Sequence, residues 1–500
     1  MSFDLGGTSV SSFKPIAAEQ VTFAQFIAVF IAVAPAMFLG SLDQTVVATA
    51  LPVIAAQVGN FGNIAWVITA YLLAATIAAP IYGRVGDAIG RRKALLGALA
   101  LFMFGSVACA LAPDFDSLIM ARAVQGLGGG GLMTLSQALI GEAVSPKQRG
   151  RFQGWFGAIF ATASTLGPLL GGLLSEHAGW RWIFWINVPL GLVALFAALR
   201  FKSDTGEGNF GLDLLGTGLF ATSTLAMLIA LSLGPSTGWT STTVVILLLG
   251  GVVGLVLVLP VERHVSSPLL SPQLLAQPVV WRAALCVLLF AAALFSGLVQ
   301  VPLLLELGYG IGPSVSGLLL IPLTLAQAGV STWVGMHIST TGNPRRPLIF
   351  GLVTASAGFA LLSATLSFGP LAVGISSILF GLGLGSTMPA AQTLAQWAGG
   401  KSRLGVTTAL LTFSRSVGGV LGTALTSATL LAAIEFYAPG SAADIQATIT
   451  TTAGTVGNPI HADVVMFAFR WVFGFIALVT LGAAFLAATI PDINLADPEP

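Results

Sequence analysis

From Val21 to Gly83 the chain carries one charged side chain, Asp43. Few folds accept such a stretch. A helix rises 1.5 Å per residue, so about twenty apolar residues cross the roughly 30 Å hydrocarbon layer of a bilayer. Runs of that kind recur at 23–54, 64–83, 94–112, 117–141, 151–174, 182–199, 213–233, 242–260, 283–305, 314–337, 347–366, 371–395, 404–433 and 466–490. Of the 500 residues 55% are hydrophobic and 8% charged, against about 25% charged in soluble domains. So few charges cannot clothe a soluble surface of this size, and the apolar excess must face lipid. The sequence predicts an all-α, polytopic membrane protein with fourteen spans.

An even number of spans puts both termini on one side. With the termini inside, sixteen of the twenty Lys and Arg fall in inner loops, the side where positive charge collects. Residues 1–22 are then a cytoplasmic N-terminal segment without the features of a cleavable signal peptide. Residues 491–500 form a cytoplasmic tail, and 434–463, without Lys or Arg, an outer loop. The last six spans echo the first six. "GRVGDAIGRRK" (83–93) returns as "GMHISTTGNPRRP" (335–347), "RAVQGLGGGGLM" as "ILFGLGLGSTMP", and "FATASTLGPLLGGLL" as "TFSRSVGGVLGTAL". Internal repeats of this kind mark transporters, with substrate sites near the midplane between halves. The expected organisation is a six-helix bundle over 23–200, two inserted spans in 201–265 and a second six-helix bundle over 266–490.

Against this background individual charges become informative. A carboxylate deep in a bilayer costs roughly 2.5–3.5 kcal/mol or more, so an intramembrane acid marks a functional site by default. Arg122 is the harder case, because a guanidinium cannot shed its proton and needs an anion or a polar cage. Gln125 and Asp43 are the candidates to supply one, either for proton coupling or simply to pin two helices together. Burial and a neighbouring cation act oppositely on a carboxyl group, so a change of surroundings can load or unload a proton at Asp43. In the loop after the second span, Gly83, Gly86 and Gly90 permit a tight turn, while Asp87, Arg91, Arg92 and Lys93 set opposite charges at the inner rim. A basic topogenic loop explains the arginines equally well. Gly167, Pro168, Gly171 and Gly172 mark a place where a helix bends and a neighbour approaches closely.

"GRVGDAIGRRK", "RAVQGLGGGG" and "GWFGAIFATASTLGPLLGG", in that order, resemble the motifs of the major facilitator superfamily. "LDQTVVATALP" and "WRWIFWINVPLG" narrow the similarity to fourteen-span drug:proton antiporters of the EmrB/QacA type. The resemblance implies two six-helix bundles working by alternating access. It implies that Asp87 caps the start of the thirteenth span near Ser402 to Leu404, that a loop arginine pairs with Glu142, and that Gly154 through Gly172 form the antiporter motif. Ala163 and Ala48 depart from the family pattern, at a usual glycine and a usual asparagine. Proton coupling would fall to Asp43 and Arg122, and the substrate path to Gln44, Glu306 and Arg415. Glu306 is also readable as a wet helix end and Arg415 as a snorkelling side chain.

Other classes find little support. Cys109 and Cys286 lie inside apolar runs, which favours packing over disulfide or metal chemistry. His177, His264, His337 and His461 have no ligand spacing. Trp180, Trp182 and Trp185 fit an aromatic belt. No nucleotide-binding motif is present, and the net charge of +1 gives no sign of nucleic-acid binding. The expected function is proton-driven efflux of lipophilic compounds across the bacterial inner membrane, with no cofactor beyond the proton motive force, membrane lipids as surroundings and room for a separate periplasmic adaptor. A dedicated exporter of one metabolite or lipid is the alternative, and a membrane-embedded enzyme a remote third.

Overall fold

The computed structural model describes residues 23–58, 64, 66–200, 213–265, 268–269, 271–311, 313–440 and 462–495. The N-terminal segment, most of the expected outer loop (441–461) and the last five residues lie outside this set. Seventeen α-helices carry the described chain: α1 (Phe23–Val58), α2 (Trp66–Ile89), α3 (Arg91–Leu111), α4 (Phe115–Ala143), α5 (Pro146–His177), α6 (Trp182–Trp185), α7 (Asn187–Arg200), α8 (Leu214–Thr237), α9 (Thr242–Glu262), α10 (Pro272–Leu275), α11 (Pro278–Tyr309), α12 (Pro313–Leu319), α13 (Ile321–Thr341), α14 (Arg345–Thr365), α15 (Pro370–Gly399), α16 (Leu404–Tyr437) and α17 (Ala462–Ala488). No strand occurs among the described residues.

Thirteen of these stretches are long and apolar enough to cross a membrane. α4, the expected fourth span, is not among them, although its 29 residues suffice in length. Arg122, Gln125 and a run of glycines dilute its apolarity, and the packing explains why that is tolerated. α4 lies between α2 and α3, where a Cβ at Gly126 or Gly130 would collide with the carbonyls of Tyr71 and Ala75, and one at Gly128 with the backbone of Phe102. Its glycines let three backbones approach, so its polar atoms meet protein instead of lipid. Elsewhere the outward faces are apolar: Phe104, Met120, Ile246, Phe350 and Phe485 are all more than half exposed.

The echo in the sequence is an echo in packing. α4 packs on α2 and α3 as α15 packs on α13 and α14, and α5 sits on α1 as α16 sits on α11. Two seams join the halves, α2 with α16 and α5 with α13. Helices α8 and α9 pack on each other, and α8 leans on α2 and α16. Turns at the two echoed loops use Gly90 (φ 97°) and Gly342 (φ 73°), a conformation that costs glycine nothing and other residues dearly.

Candidate functional site

Asp43, midway along α1, is fully buried and accepts three hydrogen bonds. Arg122 Nη1 of α4 donates to Oδ2 at 2.7 Å. Gln125 Nε2 of α4 and Asn187 Nδ2 of α7 both donate to Oδ1 at 2.9 Å. Arg122, 1% exposed, spends its other donors locally: Nη1 also reaches Gln125 Oε1 at 2.7 Å, and Nε reaches the Val67 carbonyl at 3.0 Å. Its guanidinium carbon lies 4.3 Å from the centre of the Tyr71 ring and 5.7 Å from that of Phe184. Ser106 of α3 accepts from Gln125 Nε2 at 2.6 Å and from Asn187 Nδ2 at 3.0 Å. The Cys109 thiol donates to Gln125 Oε1 at 3.4 Å. Six helices, α1, α2, α3, α4, α6 and α7, thus converge on one neutral ion pair.

Neither ion is left without partners, which is what makes such a pair tolerable in a low-dielectric interior. One polar atom beside it is unpaired, Asn187 Oδ1. The sequence named Asp43, Arg122 and Gln125. It did not assign roles to Asn187, Ser106 or Tyr71. The available signal for Asn187 was its place as a lone carboxamide between Trp182 and Arg200, inside "WRWIFWINVPLG".

The antiporter-motif residues divide. A Cβ at Gly167 or Gly171 would meet Thr45, Val46 or Thr49 of α1, and the Thr45 hydroxyl donates to the Ala163 carbonyl at 3.1 Å. α5 is therefore seated on α1 within a turn or two of Asp43. Gly154 belongs to a different contact, the seam with α13, where a Cβ would lie 2.6 Å from the Ser331 carbonyl oxygen. Gly172 has nothing near it, so it takes no part in the close approach. The Pro168 and Ala48 side chains lie outside the described residues.

At the Arg91 end of the molecule, Gly83 brings α2 against Gly405 and Ala409 of α16. One turn on, Asp87 Oδ1 accepts from Gly405 N at 3.0 Å and Oδ2 from Val406 N at 3.1 Å. Asp87 does cap the first turn of α16, a residue or two beyond the expected position; the side chain of Ser402 is outside the described set. The negative carboxylate complements the partial positive charge of the helix start. Arg91 ties Asp87 (2.6 Å) to Glu142 at the end of α4 (2.7 Å). Arg92 does something else, donating to the carbonyls of Ala198 and Leu199 at the end of α7.

Between the halves, just beyond these seams, lies a cavity of about 70 Å³ lined by α1, α4, α5, α11, α13, α15 and α16. Of the three candidates for a substrate path, Arg415 lines it. Gln44 and Glu306 do not, and both are partly exposed in this conformation.

Known proteins place the chain. It matches the description "Major Facilitator Superfamily" over residues 33–213 and 207–423. It is 33% identical over 400 residues to the multidrug transporter protein MdtP of Bacillus subtilis, covering 79% of this chain and 73% of MdtP. It is 34% identical over 401 residues to an uncharacterized MFS-type transporter of Mycobacterium tuberculosis, covering 79% of this chain but 58% of that protein; the chain spans little more than half the length of this relative. Identity to the efflux pump dotC of Dothistroma septosporum is 35% over 398 residues, covering 78% and 69% of the two chains. Among solved structures, the proton:xylose symporter XylE superposes with a TM-score of 0.65 at 13% identity, covering 94% of this chain and 97% of that one. The human organic anion transporter MFSD10 gives 0.61 at 15% identity, covering 91% and 99%. Packing, motif order and sequence similarity agree that this multi-pass membrane protein belongs to the major facilitator superfamily.

Proposed function

We propose that the chain is a proton-coupled antiporter that exports lipophilic compounds by alternating access across a bacterial cytoplasmic membrane. In this reading α4 is the fourth crossing and brings the thirteen others to fourteen, both termini are cytoplasmic and the Arg91 end faces the cytoplasm. The efflux direction draws support from the name of the efflux pump dotC. Proton coupling draws support from one observation above all, the buried Asp43 carboxylate held by Arg122, Gln125 and Asn187.

As a carboxylate, Asp43 ties α1 to α4 and α7. A proton delivered to it removes the charge that Arg122 answers and loosens α1 from both helices. α5 rides on α1 through Thr45, Gly167 and Gly171, and α5 is also half of the seam with α13. Protonation is thereby linked, through α1 and α5, to the contact between halves. One proton moving inward at ~100 mV supplies about 2.3 kcal/mol, enough for roughly a fiftyfold gradient of a neutral substrate.

The test is transport in proteoliposomes under an imposed pH gradient. Asp43→Asn keeps the shape and loses the proton, so gradient-driven dye transport should fall at least about a hundredfold while dye binding persists. Transport by Asp43→Asn at the wild-type rate would remove Asp43 from the coupling.

A further inference from the structure

Arg415 of α16 is a cation between the halves with no ion pair among the described residues. Its guanidinium carbon lies 5.0 Å from the centre of the Phe160 ring on α5 and 5.8 Å from that of Phe295 on α11, so it bridges the two halves by stacking alone. It makes no ion pair or hydrogen bond among the described residues; the three ion pairs there engage Arg91 and Arg122. A guanidinium cannot discharge itself, and ring faces offset the loss of water only in part. No residue lining the cavity can act as its countercharge, since Arg415 is the one charged residue there.

The rest of the lining is suited to receive one from outside. Gln153 is 3% exposed and its Nε2 has no partner; Ser41 is 1% exposed and its hydroxyl has none. Both line the cavity with Arg415. These donors serve the lone pairs of a carboxylate, and charge-assisted bonds of this kind are the stronger ones. Phe156, Phe160 and Met388 supply apolar walls. At about 70 Å³ the cavity holds a head group, whereas a drug-sized ligand needs about 300 Å³ or more, so the halves must part before a whole compound enters.

We propose that this cavity is the substrate site and that it selects lipophilic monoanions, aromatic acids in particular, with Arg415 as their countercharge. The inference rests on the efflux reading above and narrows it to a substrate class.

The experiment measures binding to the full chain in phosphatidylcholine nanodiscs with three ligands of one shape: 2-naphthoate, its neutral amide and 2-naphthylmethylammonium. Naphthoate should bind about tenfold or more tighter than either congener. Arg415→Met should erase that preference and Arg415→Lys should keep most of it. Equal or tighter binding of the amide or ammonium, no binding of any of the three, or a preference that survives Arg415→Met would overturn the proposal. Displacement of naphthoate by added phosphatidylglycerol would also overturn it, by giving the site to a lipid head group. Anion preference without transport under a pH gradient would sink proton coupling and leave this site standing. Gradient-driven transport of the ammonium alone would do the reverse.

Discussion

The two echoed loops, 83–93 and 335–347, begin alike and end differently. Gly83 of α2 packs on Gly405 of α16, and Gly335 of α13 packs on Gly150 and Gly154 of α5, so each starts with a glycine in a seam between halves. Four residues on, the first loop places Asp87, which caps α16 and binds Arg91. The second places Ser339, whose hydroxyl turns back to the Met336 carbonyl of its own helix. Each loop also sends an arginine to the end of the last helix in its half, Arg92 to α7 and Arg345 to the Ala488 carbonyl of α17. Close packing and helix-end capping are therefore shared by the halves. Among the described residues of the two loops, the charged latch across a seam belongs to the first, so one seam is held by charge and packing; the other is held by packing and by the Ser331 and Thr332 hydroxyls, which donate to the Gly154 carbonyl at 3.4 Å.

This asymmetry can be broken in order of expected effect. Gly83→Leu and Gly335→Leu should each abolish transport, because a Cβ at Gly83 already falls 2.6 Å from the Gly405 oxygen and one at Gly335 falls 2.9 Å from Gly154 Cα. The reporter is Ala409→Cys, buried in the wild type: Gly83→Leu should open it to an impermeant maleimide, while Cys109 and Cys286 stay buried and silent. Asp87→Asn comes next. Removing one member of a buried ion pair costs about 3 kcal/mol, roughly a hundredfold in the closing equilibrium, and should raise labelling of the same cysteine. Ser339→Ala should change neither labelling nor transport by more than about twofold, and a larger effect would mean that Ser339 itself acts across the second seam. Arg92→Gln and Arg345→Gln should each lower stability by about 1 kcal/mol, read by thermal unfolding in detergent, since each removes bonds to a helix C-terminus. Asn343→Ala, which loses the 2.8 Å bond to Asp492, should fall within about 0.5 kcal/mol of wild type.

Much of this was legible in the sequence, for identifiable reasons. Lipid demands long apolar runs, so the helices declare themselves, and two deep charges such as Asp43 and Arg122 have few options besides each other. Neutral polar residues raise no such alarm. Asn187 and Ser106 complete the cage only because α7 and α3 arrive in a particular register, which depends on packing and leaves no mark in composition. The choice of Arg91 over Arg92 for Glu142 was open for the same reason: adjacent helix positions point about 100° apart, and only the neighbours decide which faces the acid. Arg415 was readable as a snorkelling side chain. Its contacts with Phe160 and Phe295 instead aim it between the halves.

The inserted pair α8 and α9 acquires a mechanical meaning from where α8 lies. Leu228 and Leu231 of α8 pack with Leu73 of α2 and with Val417 and Ala424 of α16, one helix from each half. Any rocking that parts α2 from α16 must slide α8 off at least one of them, exposing apolar surface that the hairpin now shields from lipid. The opposite seam carries Trp155 and Trp333 partly bare at its edges. Two additional helices thus turn a nearly twofold-symmetric machine into one with a sheathed side and an open flank, and a compound dissolved in the bilayer meets a different wall on each.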